Sequence, residues 1–539
     1  MLTTFSNYWH TLKHLKLSQI LNRLYFLIYS PKIALDNFPV INQISRTWQE
    51  PIFRDESIIG HSKFSFLNVD LELNFPQDWQ EIKSSKLWIY NLHYFNDLNC
   101  QQALKKKEIH QNLIISWINN NPLGCGIGWD SYPTSLRIVN WIKWLIKTED
   151  LDEAIIKSLV IQTRWLSKRI EYHLSANHLL ANAKTLIFSG LFFHGEEPNY
   201  WLKKGMSIYK KEISSQILKD GGHYERSPMY HAIILEDILD ILNASIYWPE
   251  KIEDALYDDL VLKVDDMMKW LEAMVHPDGE VSFFNDSSFN IAPKLEELSF
   301  YAQRLGFRKT QEFKTITRLD QSGYFVVNNN HMHLIMDIAP LAPNHQAGHG
   351  HADTLSFELS LFGERLIVNT GVSTYDPNLR REFERSTKAH NTVEINNSSS
   401  SGVWNSFRVA RKAIPLLISC KENINEFQIK GTHNGYHQHA GSPQHFREWV
   451  IGKNRLVIND KISGSFKTAI ARLYLHPAVK IEDNRRLILP SGKMCEFQSF
   501  SNHIRIKKTM WSPEFGCLKP NNCIEIEFDD HKVNIEFSW

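Results

Sequence analysis

The segment Gly348-His349-Gly350-His351-Ala352-Asp353 sets ionisable side chains at every second position. In an extended chain all three would point to one side. The apolar alternation Leu355, Phe357, Leu359, Leu361 predicts a strand directly after them. Two imidazoles and a carboxylate grouped this way suit a metal ligand set or a proton-transfer site. They suit equally a polar strand entrance without metal. A second group, Asn177-His178, opens a predicted helix. Asn favours helix caps, but the same position offers backbone N–H groups and a positive dipole to an anion such as a carboxylate. A third group, Asp220 to His231, packs His223, Tyr224, Glu225, Arg226, Tyr230 and His231 around a Gly-Gly turn, with Pro228 at a helix start. A tyrosine beside a cation is a competent acid or base. The bland alternative is a hydrogen-bonded junction. A fourth group, Arg385 to Val393, carries His390 just before a strand.

Weaker candidates combine aromatic and basic residues. They are Trp88 to Phe95 (with His93 and Tyr94), Gly128 to Pro133 (with Trp129, Asp130 and Tyr132), Arg137, and Phe283 to Asp286. Trp and Tyr faces stack on sugar rings and Arg clamps carboxylates. With 12% aromatics, each of them also fits an ordinary core. The chain has no P-loop, no GxGxxG at a strand–helix junction, no GxSxG and no HExxH, which disfavours nucleotide-driven and serine-hydrolase chemistry.

The elements that must position these groups change character near residue 315. Before it, apolar residues recur at three- and four-residue spacing over Ile109–Asn120, Ser135–Lys147, Leu151–Tyr172, His178–Leu191, Tyr200–Leu218, His231–Ile246 and Leu260–Val275. Consecutive amphipathic helices of this kind predict a bundle or a ring of helical hairpins. After it the period becomes two, and many short strands predict a large antiparallel sandwich. Three units are expected: an N-terminal amphipathic helical segment over 1–45, a helical domain over 46–315 and a β-domain over 316–539. The helix expected over His10–Tyr29 is basic and too short and charged to span a bilayer. It suits packing on the protein's own core or lying on a membrane surface.

At 539 residues the chain is long enough for two or more domains. Sixty basic against sixty acidic side chains offer no overall attraction for nucleic acid. Six scattered cysteines form no disulfide framework; Cys517 and Cys523 are the one pair near enough in sequence, and free thiols are the expectation. Without a basic n-region or a cleavage site, the start predicts a cytoplasmic protein, and periplasmic or membrane-associated placement stays open.

Taken together, Asn177-His178, Ser227-Pro228-Met229-Tyr230-His231, Gly348 to Phe357 and Ala389-His390-Asn391-Thr392 resemble the heparinase II/III family of polysaccharide lyases and its alginate-lyase-like relatives. The resemblance implies an incomplete (α/α) toroid followed by an antiparallel β-sandwich, with a cleft between them. It implies β-elimination on a uronic-acid-containing polysaccharide or oligosaccharide. Asn177 and His178 would neutralise the substrate carboxylate, Tyr230 would be the acid (for some epimers also the base), and His349 the second proton-transfer group. Tyr132, Trp129, His93, Tyr94, Arg137, Glu225, Arg226 and Arg385 would contact substrate. A structural divalent metal, zinc by preference, would take His351, Asn369 and His390, although Asn369 stands where an Asp is usual. Two other readings are carried: a toroid glycoside hydrolase using two of Glu225, Asp286 and Asp130, and a non-catalytic glycan-binding protein of an exopolysaccharide assembly pathway.

Overall fold

The change of period at residue 315 separates two domains in the computed structural model, which describes residues 2–42, 47–60, 62–249, 251–308, 315–423, 426–483, 485–501 and 503–539. The helices are α1 (Leu2–Leu12), α2 (Leu17–Ile28), α3 (Asp78–Glu81), α4 (Lys86–Tyr94), α5 (Lys107–Asn120), α6 (Ser131–Thr148), α7 (Glu153–Lys168), α8 (Ala176–Phe192), α9 (Glu196–Gln216), α10 (Pro228–Tyr247), α11 (Asp254–Met274), α12 (Leu295–Arg304) and α13 (Leu379–Arg385). The expected boundary at 45/46 lies outside the described residues. So does most of the chain joining α12 to the first strand of the β-domain, at Ile316.

Burial divides the helices into two rings. α6, α8 and α10 are covered on nearly every face, whereas α5, α7, α9 and α11 keep one wet face. α4, α6, α8 and α10 pack side by side as an inner layer, and α6, α8 and α10 are each followed by an outer helix packed behind. This is an incomplete (α/α) toroid. α8 and α10 are mostly apolar, as inner helices require, and their buried charges Lys184, Asp237 and Asp240 pair with one another.

The β-domain is an antiparallel sandwich. One layer is a five-stranded meander, Ile316–Leu319, Tyr324–Asn328, Met332–Asp337, Phe357–Leu361 and Glu364–Ile367. A single bridge, Ile367 to Leu475, continues it into a four-stranded sheet. An eight-stranded sheet forms the other layer. Phe325, Leu334, Met336, Phe357 and Leu359 meet Trp449, Ile458, Ile535 and Phe537 in the sandwich core. The alternate residues Tyr324, Val326 and Ile335 pack on Trp270 and Met274 of α11. The meander is therefore buried on both faces, one against each domain, which holds the domains together over a continuous apolar seam.

Two expectations are corrected. The helix anticipated over His10–Tyr29 is broken at Lys13–Lys16 into α1 and α2. The strand anticipated from Leu355 begins at Phe357, because Leu355 turns through φ +64°. The residues before it form a folded loop, so His349, His351 and Asp353 do not lie along an extended strand.

Candidate active site

A cleft of about 1480 Å³ runs between the toroid and the sandwich, and Tyr94, Tyr132, Asn177, His178, Tyr230, His349 and Tyr375 all line it. Each is delivered by a local device. Ser227 caps α10 by accepting from the Tyr230 N–H at 3.1 Å, and Pro228 occupies the first turn. Tyr230 is thereby fixed at the end of an inner helix. His349 sits in the loop before the strand Phe357–Leu361. There the chain passes so close to Leu341 that a Cβ at Gly350 would fall 2.0 Å from Leu341 Cδ2.

Tyr230 and His349 form the centre of the site. Their rings lie 4.2 Å apart. The Tyr230 hydroxyl is 3.1 Å from that of Tyr375. Behind them, Asp286 takes four donors: His349 Nδ1 at 2.8 Å, His351 Nε2 at 2.8 Å, and both terminal nitrogens of Arg381 at 2.5 and 2.7 Å. Burial pushes the Asp286 carboxyl up, but the Arg381 guanidinium and the two imidazole N–H groups outweigh it and hold Asp286 well below the carboxylate range. An ionised carboxylate only accepts, so His349 must carry its proton on Nδ1. A neutral His349 then presents the Nε2 lone pair to the cleft, as a general base needs. Tyr230 is driven the other way. Burial, together with Tyr375 and Asp286, holds its phenol well above the ordinary value, so it stays protonated. The site thus pairs a protonated phenol with an imidazole that Asp286 holds through Nδ1.

Asn177 and His178 line the same cleft from the first turn of α8, the inner helix beside α10. The cap position belongs to Ser175, not Asn177, and Ser175 and Ala176 both adopt positive φ (54° and 49°). This strained entry frees the Asn177 amide, which reaches the Tyr132 hydroxyl. His178 stacks on the Tyr132 ring at 4.3 Å, and its Nδ1 lies 3.2 Å from Glu171 Oε2. An amide and an imidazole at a helix N-terminus form a site suited to a carboxylate.

Other residues expected to contact substrate lie elsewhere. Arg137 is fully buried over the Trp117 ring and donates to Gln162, the Gly128 carbonyl and the His93 carbonyl. Burial drives the His93 imidazole down to about 3, and its Nδ1 accepts from Trp117 Nε1. Trp129 packs between Trp117 and Trp165. These three build the toroid core. Arg226 ties the domains together by donating to the Ser322 carbonyl. Arg385 grips the Gly350 carbonyl and so braces the loop carrying His349. Glu225 is buried behind the cleft; burial raises its carboxyl while the His349 and His178 imidazoles oppose the rise. Tyr94 and Tyr132 do reach the cleft. For hydrolysis by paired carboxylates, Asp286 is unsuited, since both its oxygens are already bound.

The expected metal position is partly assembled. His351 Nδ1 faces His390 Nε2 at 3.1 Å. Asp286 requires N–H at His351 Nε2, and the Ser386 carbonyl, 2.8 Å from His390 Nδ1, requires N–H there. Two neutral rings so placed aim lone pairs at one another, which calls for a cation between them. Burial opposes a proton: it pushes His351 down to about 4 and His390 well below its ordinary value. Asn369 does not complete the set. Its amide donates to the Phe283 carbonyl and accepts from the Asn391 backbone and side chain. No group of three His, Cys, Asp or Glu side chains converges on one point among the described residues. The two imidazoles fit a metal ion; Asn369 does not serve as a third ligand.

Three residues of the centre were not singled out for their roles by the sequence. Arg381 is one of several arginines on α13, Tyr375 is a lone tyrosine in a loop, and Asp286 enters the sequence reading only as a hydrolase carboxylate. Their partners are 63 to 145 positions away in sequence, so only the fold reveals them.

A helical toroid and a β-sandwich enclose this Tyr–His–Asp centre, and comparison with known proteins gives the family. Residues 78–313 match the heparinase II/III N-terminus and residues 314–539 the heparinase II/III-like C-terminal domain. The chain belongs to the heparinase II/III family. It is 26% identical over 336 residues to a heparin-sulfate lyase of Bacteroides stercoris, an alignment covering 58% of this chain and 48% of that protein. A heparin-sulfate lyase of Bacteroides thetaiotaomicron is 24% identical over 393 residues, covering 62% and 52%. The chain spans about half the length of these curated relatives. The crystal structure of heparinase III superposes with a TM-score of 0.72 at 15% identity, covering 97% of this chain and 89% of that one, which establishes the shared fold.

Proposed function

We propose that this protein is a polysaccharide lyase that cleaves a uronic-acid-containing glycan by β-elimination. The observation that carries the reading is the approach of the Tyr230 and His349 rings to 4.2 Å in the cleft, which Asn177 and His178 also line. The uronate carboxylate docks on Asn177 and His178, which acidifies the C5 proton. His349 Nε2 removes that proton, and its electron pair becomes the C4–C5 double bond. The C4–O bond breaks, and the Tyr230 hydroxyl protonates the departing oxygen. Products are an unsaturated uronate and a new chain end. Fixed donors around the developing negative charge supply much of the rate in such sites.

In the same reading His351 and His390 would hold a divalent metal, zinc by chemistry; when bound it would supply a structural crosslink that keeps His351 against Asp286 and so steadies His349. The substrate is an acidic polysaccharide or oligosaccharide. The test is ultraviolet absorbance of unsaturated product across a panel of uronate glycans. New chain ends without absorbance would replace elimination with hydrolysis.

A further inference from the structure

The N-terminal helix α2 is mounted inside out. Its sides toward the protein are polar or anchored: Gln19 is buried and donates to the His173 and His345 carbonyls, and Phe26 lies under the Arg169 guanidinium at 3.6 Å. Its apolar side faces away. Leu17, Leu21, Tyr25 and Ile28 are 70, 56, 53 and 83% exposed. Their spacing of four, four and three puts them on one stripe. Ile20, Leu24 and Leu27 continue the surface toward the cleft mouth, which they line. Together these seven cover an arc of about 160°. An amphipathic helix normally buries that arc, and contiguous apolar surface left outside marks a docking site. Trp9 of α1, 63% exposed, adds to it.

Charge names the occupant. Residues 1–35 carry Lys13, Lys16, Arg23 and Lys32, all exposed, and no Asp or Glu. A second copy of this face would bring four cations against four. An anionic lipid surface would neutralise them and accept the apolar stripe. No described helix is long and apolar enough to cross a membrane, so the contact lies in the interface plane.

We propose that α1 and α2 dock this protein on anionic membrane surfaces, with the Leu17–Ile28 stripe in the lipid boundary and the cleft mouth beside it. Each cation near an anionic surface strengthens such binding about fivefold. The test is cosedimentation of the full chain with vesicles of phosphatidylcholine alone and of phosphatidylcholine mixed with phosphatidylglycerol. The expected result is at least about tenfold stronger partition into the mixed vesicles, weakened by high salt. Leu21→Asp/Ile28→Asp should lose about tenfold or more with an unchanged circular-dichroism melt, since both side chains face outward. Lys13→Glu/Lys16→Glu should lose the preference for anionic lipid. Absence of sedimentation with mixed vesicles overturns the proposal, as does undiminished binding by the Leu21→Asp/Ile28→Asp variant. Self-association abolished by that variant, without vesicle binding, would assign the face to a second copy instead. None of these outcomes depends on whether the cleft performs elimination.

Discussion

Asp286→Asn is the most searching perturbation of the site. The native carboxylate is inaccessible to water and accepts from His349, His351 and, in bidentate fashion, Arg381. An amide keeps the shape but replaces one acceptor oxygen with an NH₂ group. Whichever way it turns, it points donors at a donor. If the amide nitrogen faces His349, the proton moves to His349 Nε2 and the lone pair turns away from the cleft. Loss of the correct tautomer in a comparable carboxylate–imidazole pair reduces turnover by about 10⁴, or about 5.5 kcal/mol of barrier at 1.36 kcal/mol per decade. Removing the charge also leaves the buried Arg381 guanidinium without the carboxylate it pairs with, a stability loss of about 3–5 kcal/mol for a broken buried pair. The assay is initial rate of unsaturated-product formation together with a thermal melt. The two effects separate because kcat is read well below the variant's melting temperature, and KM should move only a few fold. Turnover within tenfold of wild type, with His349→Ala still inactive, would refute the tautomer argument.

Other predictions follow from the same geometry. Tyr230→Phe removes the acid but keeps the ring against His349, so kcat should fall by about 10²–10⁴ with little change in the melt; near-normal turnover would take Tyr230 out of the mechanism. Metal analysis of the purified protein tests the His351–His390 pair: a metal held there should be lost in His390→Ala and on chelation, each with an earlier melt, whereas metal-free protein with a normal melt would remove the metal from the account. Asp460, inaccessible beneath Arg447 and His445, is raised by burial but lowered further by the Arg447 guanidinium, to about 2. Its folded value lies below its unfolded one, so its contribution is present above about pH 4 and is lost as pH falls toward 2. Asp460→Asn should therefore melt earlier than wild type at neutral pH, and the gap should close as pH drops through that window; a gap that persists at pH 2 would refute the ion-pair account.

Much of the fold was readable because period reports environment. The long 3.6-period stretches became toroid helices, and the two-period half became the sandwich. Candidate residues were readable where local chemistry marks them, Pro228 before Tyr230 and the imidazoles of Gly-His-Gly-His, but the extended path read for that second segment is a folded loop. It failed where residue type was asked to report exposure. Arg137, His93 and Trp129 look like a sugar platform, but in a chain rich in aromatics a Trp–Arg stack serves a core equally well. Asp286, Arg381 and Tyr375 were opaque because their roles exist only through partners far away in sequence. The N-terminal segment misled for the opposite reason. Its amphipathic pattern is plain, but a pattern does not say whether the apolar face turns inward or, as in α2, outward.

The central claim is elimination at the Tyr230–His349 pair. The most direct measurement follows ultraviolet absorbance and new reducing ends together, on one panel of uronate glycans and oligosaccharides, for wild type, Tyr230→Phe and His349→Ala. The account predicts that absorbance and chain ends rise in equal amounts for wild type and that both stop in either variant. Chain ends without absorbance, or undiminished absorbance in either variant, would contradict it.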